Sequence, residues 1–187
     1  GGESRVTQMI EKFSQLCRMG MCAGGNTITL KEGIEHAKTY LEVLNFRHTE
    51  KIGLEIECEA QENRLYMPQF ILQPIMENSV IHGFEDGSHG FSIRIRAFCR
   101  EGKLLLYVQD NGKGMDEQEL ELLRESMERT ETEEGSIGLA NVHQRIRLFY
   151  GEEYGLRINS RAEFGTEVEI SLPVRYQSEN MEGNREE

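Results

Sequence analysis

Two stretches of the chain alternate apolar and polar residues on either side of Glu101-Gly102, and this pattern restricts the fold more than any other in the sequence. Phe91 to Arg100 and Lys103 to Gln109 each have the period of a half-buried strand, and Glu101-Gly102 reads as the turn of a β-hairpin. The same alternation recurs upstream, where Ile52, Leu54, Ile56 and Cys58 interleave with Gly53, Glu55, Glu57 and Glu59. It recurs again in Leu156 to Asn159 and Thr166 to Leu172, around Phe164-Gly165. A sheet with one apolar face needs helices to cover that face.

The chain supplies them. In Pro68 to Gly83, residues Leu72, Ile75, Met76, Ser79 and Val80 form a stripe at helical spacing. Asn78 and His82, four apart, share a face at its border, and Glu77 lies one residue round. Pro68 suits the first turn of this helix, whereas Pro74 either kinks it or marks its regular start. Ile137 to Tyr150 carries a second stripe, Leu139, Val142, Ile146 and Phe149. Asp116 to Glu128 is helical and highly charged, and Arg129 to Ser136 has the polar, patternless composition of a mobile loop. At the N-terminus, Glu3 to Met19 is amphipathic, Met21 to Asn26 breaks it, and Thr29 with Glu32 forms the capping-box pattern for a helix to about Phe46. Ile34, Ala37, Tyr40, Leu41 and Leu44 line one face of that helix. Two such helices need a further helix, domain or chain to bury both stripes. The order predicts an α+β chain: an N-terminal helical segment before a two-layer α/β sandwich, then a disordered hydrophilic tail over 176–187.

A formal charge of -12 excludes a basic nucleic-acid footprint, so no nucleic-acid partner is expected. No apolar run reaches the roughly 18 residues needed to span a bilayer, so this portion is not expected to insert in a membrane. Cys17, Cys22, Cys58 and Cys99 lack C-x-x-C spacing and are read as reduced thiols of a cytoplasmic protein. A zinc site is disfavoured because no ligand pair has zinc-type spacing.

Glycines cluster at three element ends: Asp110-x-Gly112-x-Gly114, Gly135-x-x-Gly138-Leu139, and Gly165-Thr166. Glycines permit sharp turns and close approach to a ligand, and N–H groups at a helix start attract phosphate. The P-loop pattern is missing, and the first cluster does not sit in a dinucleotide-binding βαβ unit. One cluster alone reads equally well as a strand ending. Taken in order, however, Gln73 to Gly83, Val108 to Met115, Ser136 to Gly151 and Gly165 to Pro173 closely resemble the N, G1, G2 and G3 boxes of the ATP-binding domain of sensor histidine kinases. The match is to the LytS/YesM-type kinases of bacterial two-component systems and covers about Val6 to Val174, including the preceding segment Ile28 to Glu42.

The resemblance implies the Bergerat (GHKL) variety of α/β sandwich, with ATP and Mg²⁺ as cofactors. It divides the chain into a partial helical dimerisation region at 1–48, an ATP-binding catalytic domain at 49–175 and the tail. Asp110 would accept from the adenine amino group, consistent with a carboxylate being acceptor-only, rather than merely cap a turn. Asn78 would hold Mg²⁺ against the phosphates, as befits a metal that takes few hard oxygen ligands from protein. His82 would be a phosphate-facing or pocket residue, its alternative being a hydrogen-bonded helix end. Glu77 would take a proton from, or orient, the receiving histidine. The implied ATP contacts also include Gly83, Gly112, Gly114, Met115, Gly135, Ile137, Gly138, Leu139 and Thr166. Met115 to Ser136 would form a lid, and Arg145 or Arg147 would reach phosphate unless simply solvated.

The family phosphorylates itself on a histidine in a motif like P-H-F-L-F-N, and neither His36 nor His48 has that context. The expectation is therefore a fragment that binds ATP without autophosphorylating. Its parent would be a homodimeric membrane sensor with this domain in the cytoplasm and a response regulator as partner. The competing readings are a non-catalytic or anti-sigma-type module on the same fold, and an ATPase of the gyrase or chaperone type.

Overall fold

The computed structural model describes residues 27–46, 48, 50–61, 64–84, 90–128 and 137–176, together with Thr7, Ile10, Lys12 and Ser14 near the N-terminus. Those four are helical, and Lys12 forms an ion pair with Glu42 at 2.6 Å. The expected loop at 129–136, residues 177–187 of the expected tail and most of the first helix lie outside the described residues; Tyr176, the first residue of that tail, is not free as expected but pairs with Leu65 in an isolated β-bridge.

In chain order the elements are β1 (Thr27–Thr29), α1 (Leu30–Asn45), β2 (Gly53–Cys58), β3 (Tyr66–Pro68), α2 (Leu72–Gly83), β4 (Ser92–Arg100), β5 (Lys103–Asp110), α3 (Glu117–Glu128), α4 (Ile137–Tyr150), β6 (Gly155–Arg161) and β7 (Gly165–Pro173). A five-stranded sheet runs β2-β4-β5-β7-β6, and its pairs are antiparallel except β2 with β4. Period-two alternation places Ile93, Ile95, Leu104, Leu106, Val108, Ile158, Val168 and Ile170 on one face, all essentially buried. Helices α2 and α4 cover them through Ile75, Met76, Val80, Leu139, Val142 and Ile146, and α3 adds Leu120 and Met127. The opposite face is polar: Arg96 bonds Glu167 at 3.0 Å and Tyr107 donates to Glu169 at 2.8 Å. This is the expected two-layer sandwich.

The hairpin turn is as read, with Glu101 (φ 52°) and Gly102 (φ 75°) both in the left-handed region that such a turn requires. Thr29 caps α1 in a full capping box, its hydroxyl accepting from Glu32 N–H at 3.2 Å while Glu32 accepts from Thr29 N–H at 2.8 Å.

Two further expectations are corrected, and one element was not foreseen. Pro68 does not open α2: it ends β3 in a two-stranded ladder with β1, where a missing N–H costs little, and Pro74 instead stands in the first turn of α2. Phe149 is exposed, and the inward stripe of α4 runs through Leu139, Ala140, Val142, His143 and Ile146. The short β1–β3 ladder had no signal in the alternation, because three-residue strands are too short to show a period.

Candidate functional site

The alternation that buries Leu104, Leu106 and Val108 continues one step further and buries Asp110 at the C-terminal end of β5, 3 % exposed. Among the described residues it is the only buried carboxylate. The same continuation carries Thr166 inward at the start of β7, behind Val168, and Ser160 inward near the end of β6, behind Ile158. Asp110 Oδ1 accepts from the N–H groups of Gly112 (3.0 Å) and Thr166 (3.1 Å), and the Ser79 hydroxyl donates to the same carboxylate from α2. Burial pushes the carboxyl above the ordinary aspartate range, and these three donors offset the shift only in part. A carboxylate has about four acceptor sites, so one stays open to a ligand N–H.

The glycines let three backbones cross at this point. A Cβ on Gly112 would stand 2.5 Å from the Gly83 carbonyl oxygen, one on Gly114 (φ 65°) would collide with the Arg161 carbonyl, and one on Gly165 (φ 89°) with the Asp110 carbonyl. Gly83 itself would meet Asp110 Oδ1 at 3.2 Å. The ends of α2 and β5 and the β6–β7 turn are thereby held in van der Waals contact.

Above the crossing lies a cavity of about 140 Å³ lined by Asn78, Ser79, His82, Gly83, Asp110, Gly114, Met115, Leu123 and Thr166. Its volume is below the 300–1,000 Å³ of sites that enclose a drug-sized ligand, so it suits a heterocyclic base rather than a whole nucleotide. Seven residues singled out from sequence therefore converge: Asn78, His82, Gly83, Asp110, Gly114, Met115 and Thr166. Gly112 lies beneath, against Gly83. Gly138 is the second residue of α4, where a Cβ would meet only Pro74, at 3.9 Å, Leu139 is buried in the core, and Gly135 and the side chain of Ile137 lie outside the described residues.

Glu77 faces a different groove, with Tyr40, Leu44, His48, Val80, Ile81 and Phe84, between α2 and the helical segment. Arg145 donates to the Gln69 carbonyl at 2.9 Å and Arg147 pairs with Glu128 at 2.7 Å, so neither is aimed at the cavity. Helix α3, the described part of the expected lid, is docked: Arg124 donates to the Ile158 carbonyl and Gln144 to the Met127 carbonyl, each at 2.7 Å.

Ser79, Leu123 and Ser160 were not singled out from sequence. Ser79 stood in the apolar stripe, and a serine there must find a buried partner. Ser160 lies beyond the strand read from sequence, and parity with Ile158 signals only its inward position, not its partners. A larger concavity of about 550 Å³ lies near the β4–β5 turn and β6, but its charged groups hold one another, Arg147 with Glu128 and Arg157 with Glu169, and Lys103 donates to the Glu153 carbonyl. The small cavity, with a buried carboxylate, has the stronger chemistry.

Residues 63–176 match the model of the histidine kinase-, DNA gyrase B- and HSP90-like ATPases, and residues 1–52 match a histidine kinase model. Over 173 residues the chain is 31 % identical to the sensor histidine kinase YesM of Bacillus subtilis, covering 92 % of this chain and 28 % of YesM. It is 27 % identical over 166 residues to the sensor protein kinase HptS of Staphylococcus aureus, covering 89 % of this chain and 32 % of HptS. The chain thus spans about three-tenths of these relatives. Among solved structures, the histidine kinase domain of the Erythrobacter litoralis blue-light kinase superposes with TM-score 0.58 at 18 % identity, over 91 % of this chain and 75 % of that one. The catalytic domain of the kinase ThkA superposes with TM-score 0.58 at 16 % identity, over 79 % and 93 %. These likenesses show the shared fold.

Proposed function

The chain belongs to the histidine kinase-, DNA gyrase B- and HSP90-like ATPase family, and from that membership we propose that it is the catalytic, ATP-binding portion of a bacterial sensor histidine kinase. The match of residues 1–52 to a histidine kinase model favours this over a gyrase- or chaperone-type ATPase. In this reading residues 1–48 contribute to helical dimerisation, 49–175 bind ATP, and the phosphoryl group passes to a histidine elsewhere in the parent protein and then to a response-regulator aspartate. The parent is a membrane sensor with this portion in the cytoplasm. Among the described residues no helix is long and apolar enough to cross a membrane.

The observation that carries the proposal is the buried Asp110 at the floor of the cavity, an acceptor-only group with one site open to an amino group. Thr166, Gly114 and Met115 bound the base beside it, and Asn78 and His82 border the same cavity on α2. Among the described residues no group of three or more His, Cys, Asp or Glu side chains is arranged to hold a metal. That donor set fits Mg²⁺ held chiefly by phosphate and water, with the Asn78 amide oxygen as its protein ligand. When bound, Mg²⁺ neutralises charge on the transferring phosphoryl group. The first N–H groups of α4, around Ile137 and Gly138, would meet phosphate oxygens. Glu77 looks away from the base and towards the helical segment, the side from which an acceptor histidine must come, and there it orients that imidazole or takes its proton.

Titration with Mg-ATP by calorimetry tests the assignment. Wild type binds and Asp110→Asn binds at least about tenfold more weakly. No binding by wild type, or equal binding by the variant, overturns it.

A further inference from the structure

Both hydroxyls that line the cavity, Ser79 and Thr166, spend their protons inside the protein. The Ser79 hydroxyl donates to Asp110. Ser160, outside the cavity, has three neighbours: the Met115 N–H at 2.9 Å, the Gly165 carbonyl at 2.9 Å and Thr166 Oγ1 at 2.8 Å. A hydroxyl has one proton and two lone pairs. The Gly165 carbonyl can only accept, so Ser160 donates to it. Its lone pairs then take the Met115 N–H and the Thr166 hydroxyl proton, and all of its capacity is filled. Thr166 is left with lone pairs and no proton to offer a ligand. It sits against Asp110, to which its own N–H donates. The polar groups around Asp110 therefore all accept, while Asn78 and His82 border the cavity from α2.

We infer that Ser160 sets the hydrogen-bond polarity of Thr166 and, with Ser79, makes this site select a purine bearing a 6-amino group and reject a 6-oxo purine. The inference rests on the nucleotide reading above and extends it to residues that do not carry the recognition themselves. A 6-oxo purine turns a carbonyl towards three acceptors, which is repulsive as well as one hydrogen bond short. A purine with hydrogen at position 6 only loses the bond. Ser160 is a positioning residue, acting through Thr166.

The test compares ATP, inosine triphosphate and purine riboside triphosphate, each with Mg²⁺, by calorimetry on the full chain. Wild type prefers ATP to the inosine nucleotide by at least about tenfold, and the purine riboside nucleotide falls between them. Ser160→Ala frees the Thr166 proton to point at a carbonyl, so the preference for ATP over the inosine nucleotide drops about tenfold. Thr166→Val removes the fixed acceptor and lowers the same ratio. Ser160→Ala made on the Thr166→Val background leaves the ratio where Thr166→Val put it. Thermal melts report folding, and the Thr166→Val ratio decides the question even where Ser160→Ala fails to fold. A ratio unmoved by Thr166→Val, or a Ser160→Ala variant that weakens both nucleotides equally, overturns the inference and leaves the nucleotide reading standing. Failure of wild type to bind any of the three overturns both.

Discussion

The backbone N–H of Thr166 donates to Oδ1 of Asp110 at 3.1 Å, joining the end of β5 to the start of β7 through the only buried carboxylate among the described residues. That contact makes one group serve two ends. It organises the crossing of the chain and presents an acceptor to the cavity, so changes at Asp110 are read in binding and in acid titration together.

Burial raises the Asp110 pKa above the ordinary value of 3.8, so in the folded chain it takes up a proton at higher pH than an unfolded aspartate does. A raised folded pKa favours the folded state below the unfolded pKa, and that contribution is lost as pH rises through the folded value. Protonation of Asp110 therefore does not unfold the chain, yet it replaces an acceptor by a donor. ATP affinity falls on acidification with a midpoint above 3.8, and this limb is missing in Asp110→Asn. Calorimetry on wild type and Asp110→Asn from about pH 8 downwards reads both; an acid limb of equal size in the two proteins contradicts the assignment.

The glycines separate into two classes. Gly112→Ala pushes a methyl group into the Gly83 backbone, and Gly114→Ala adds a strained φ to a collision, so each costs about 3 kcal/mol or more in urea denaturation. Gly138→Ala meets nothing closer than Pro74 at 3.9 Å and lies within a helix, so stability stays level or rises by up to about 1 kcal/mol. Loss of stability in the last variant would show that the start of α4 packs more tightly than described.

On α2 the two neighbours divide. Asn78→Ala removes the amide oxygen from the cavity and abolishes most of the gain in ATP affinity that Mg²⁺ brings. Glu77→Ala, in the other groove, leaves ATP affinity within about 0.5 kcal/mol. A Glu77 variant that binds ATP as poorly as the Asn78 variant would place both in one site.

His143 is buried on α4 and accepts the Leu156 N–H at Nδ1, 3.0 Å, which ties α4 to β6. Burial lowers its pKa below 6.5, against the opposing charge of Glu128. The neutral ring is the folded form, so its contribution to stability is present above 6.5 and is lost as pH falls below that value. Denaturation midpoints of wild type decline over that interval, whereas His143→Ala shows a shallower decline after an initial loss of about 2–4 kcal/mol. Parallel slopes for the two proteins would exclude the ring as the source.

Strand parity made much of this legible. The alternation about Glu101-Gly102 gave β4, β5 and their buried face, and one more step of the same period reaches Asp110. The helical stripe of α2 was readable down to Ser79, but periodicity does not say what a serine in an apolar stripe bonds to, since its partner lies on another element. Ser160 was hidden for the same reason: its three partners come from β7 and from the residues after β5, and no local pattern brings them together. The parallel pairing of β2 with β4 depends on tertiary contacts across an intervening helix, which alternation within a strand does not record.

Strand β3 is held on one side by β1 and on the other by the residues that follow β7: Leu30 N–H bonds the Leu65 carbonyl at 2.8 Å and Tyr66 N–H bonds the Arg175 carbonyl at 2.9 Å. Met67 packs its side chain against Gly33, where a Cβ would stand 2.6 Å from Sδ, so α1 and this strand are in direct contact. The short ladder therefore clamps the start of α1 to the segment that leads, four residues after Pro68, into the helix that carries Asn78.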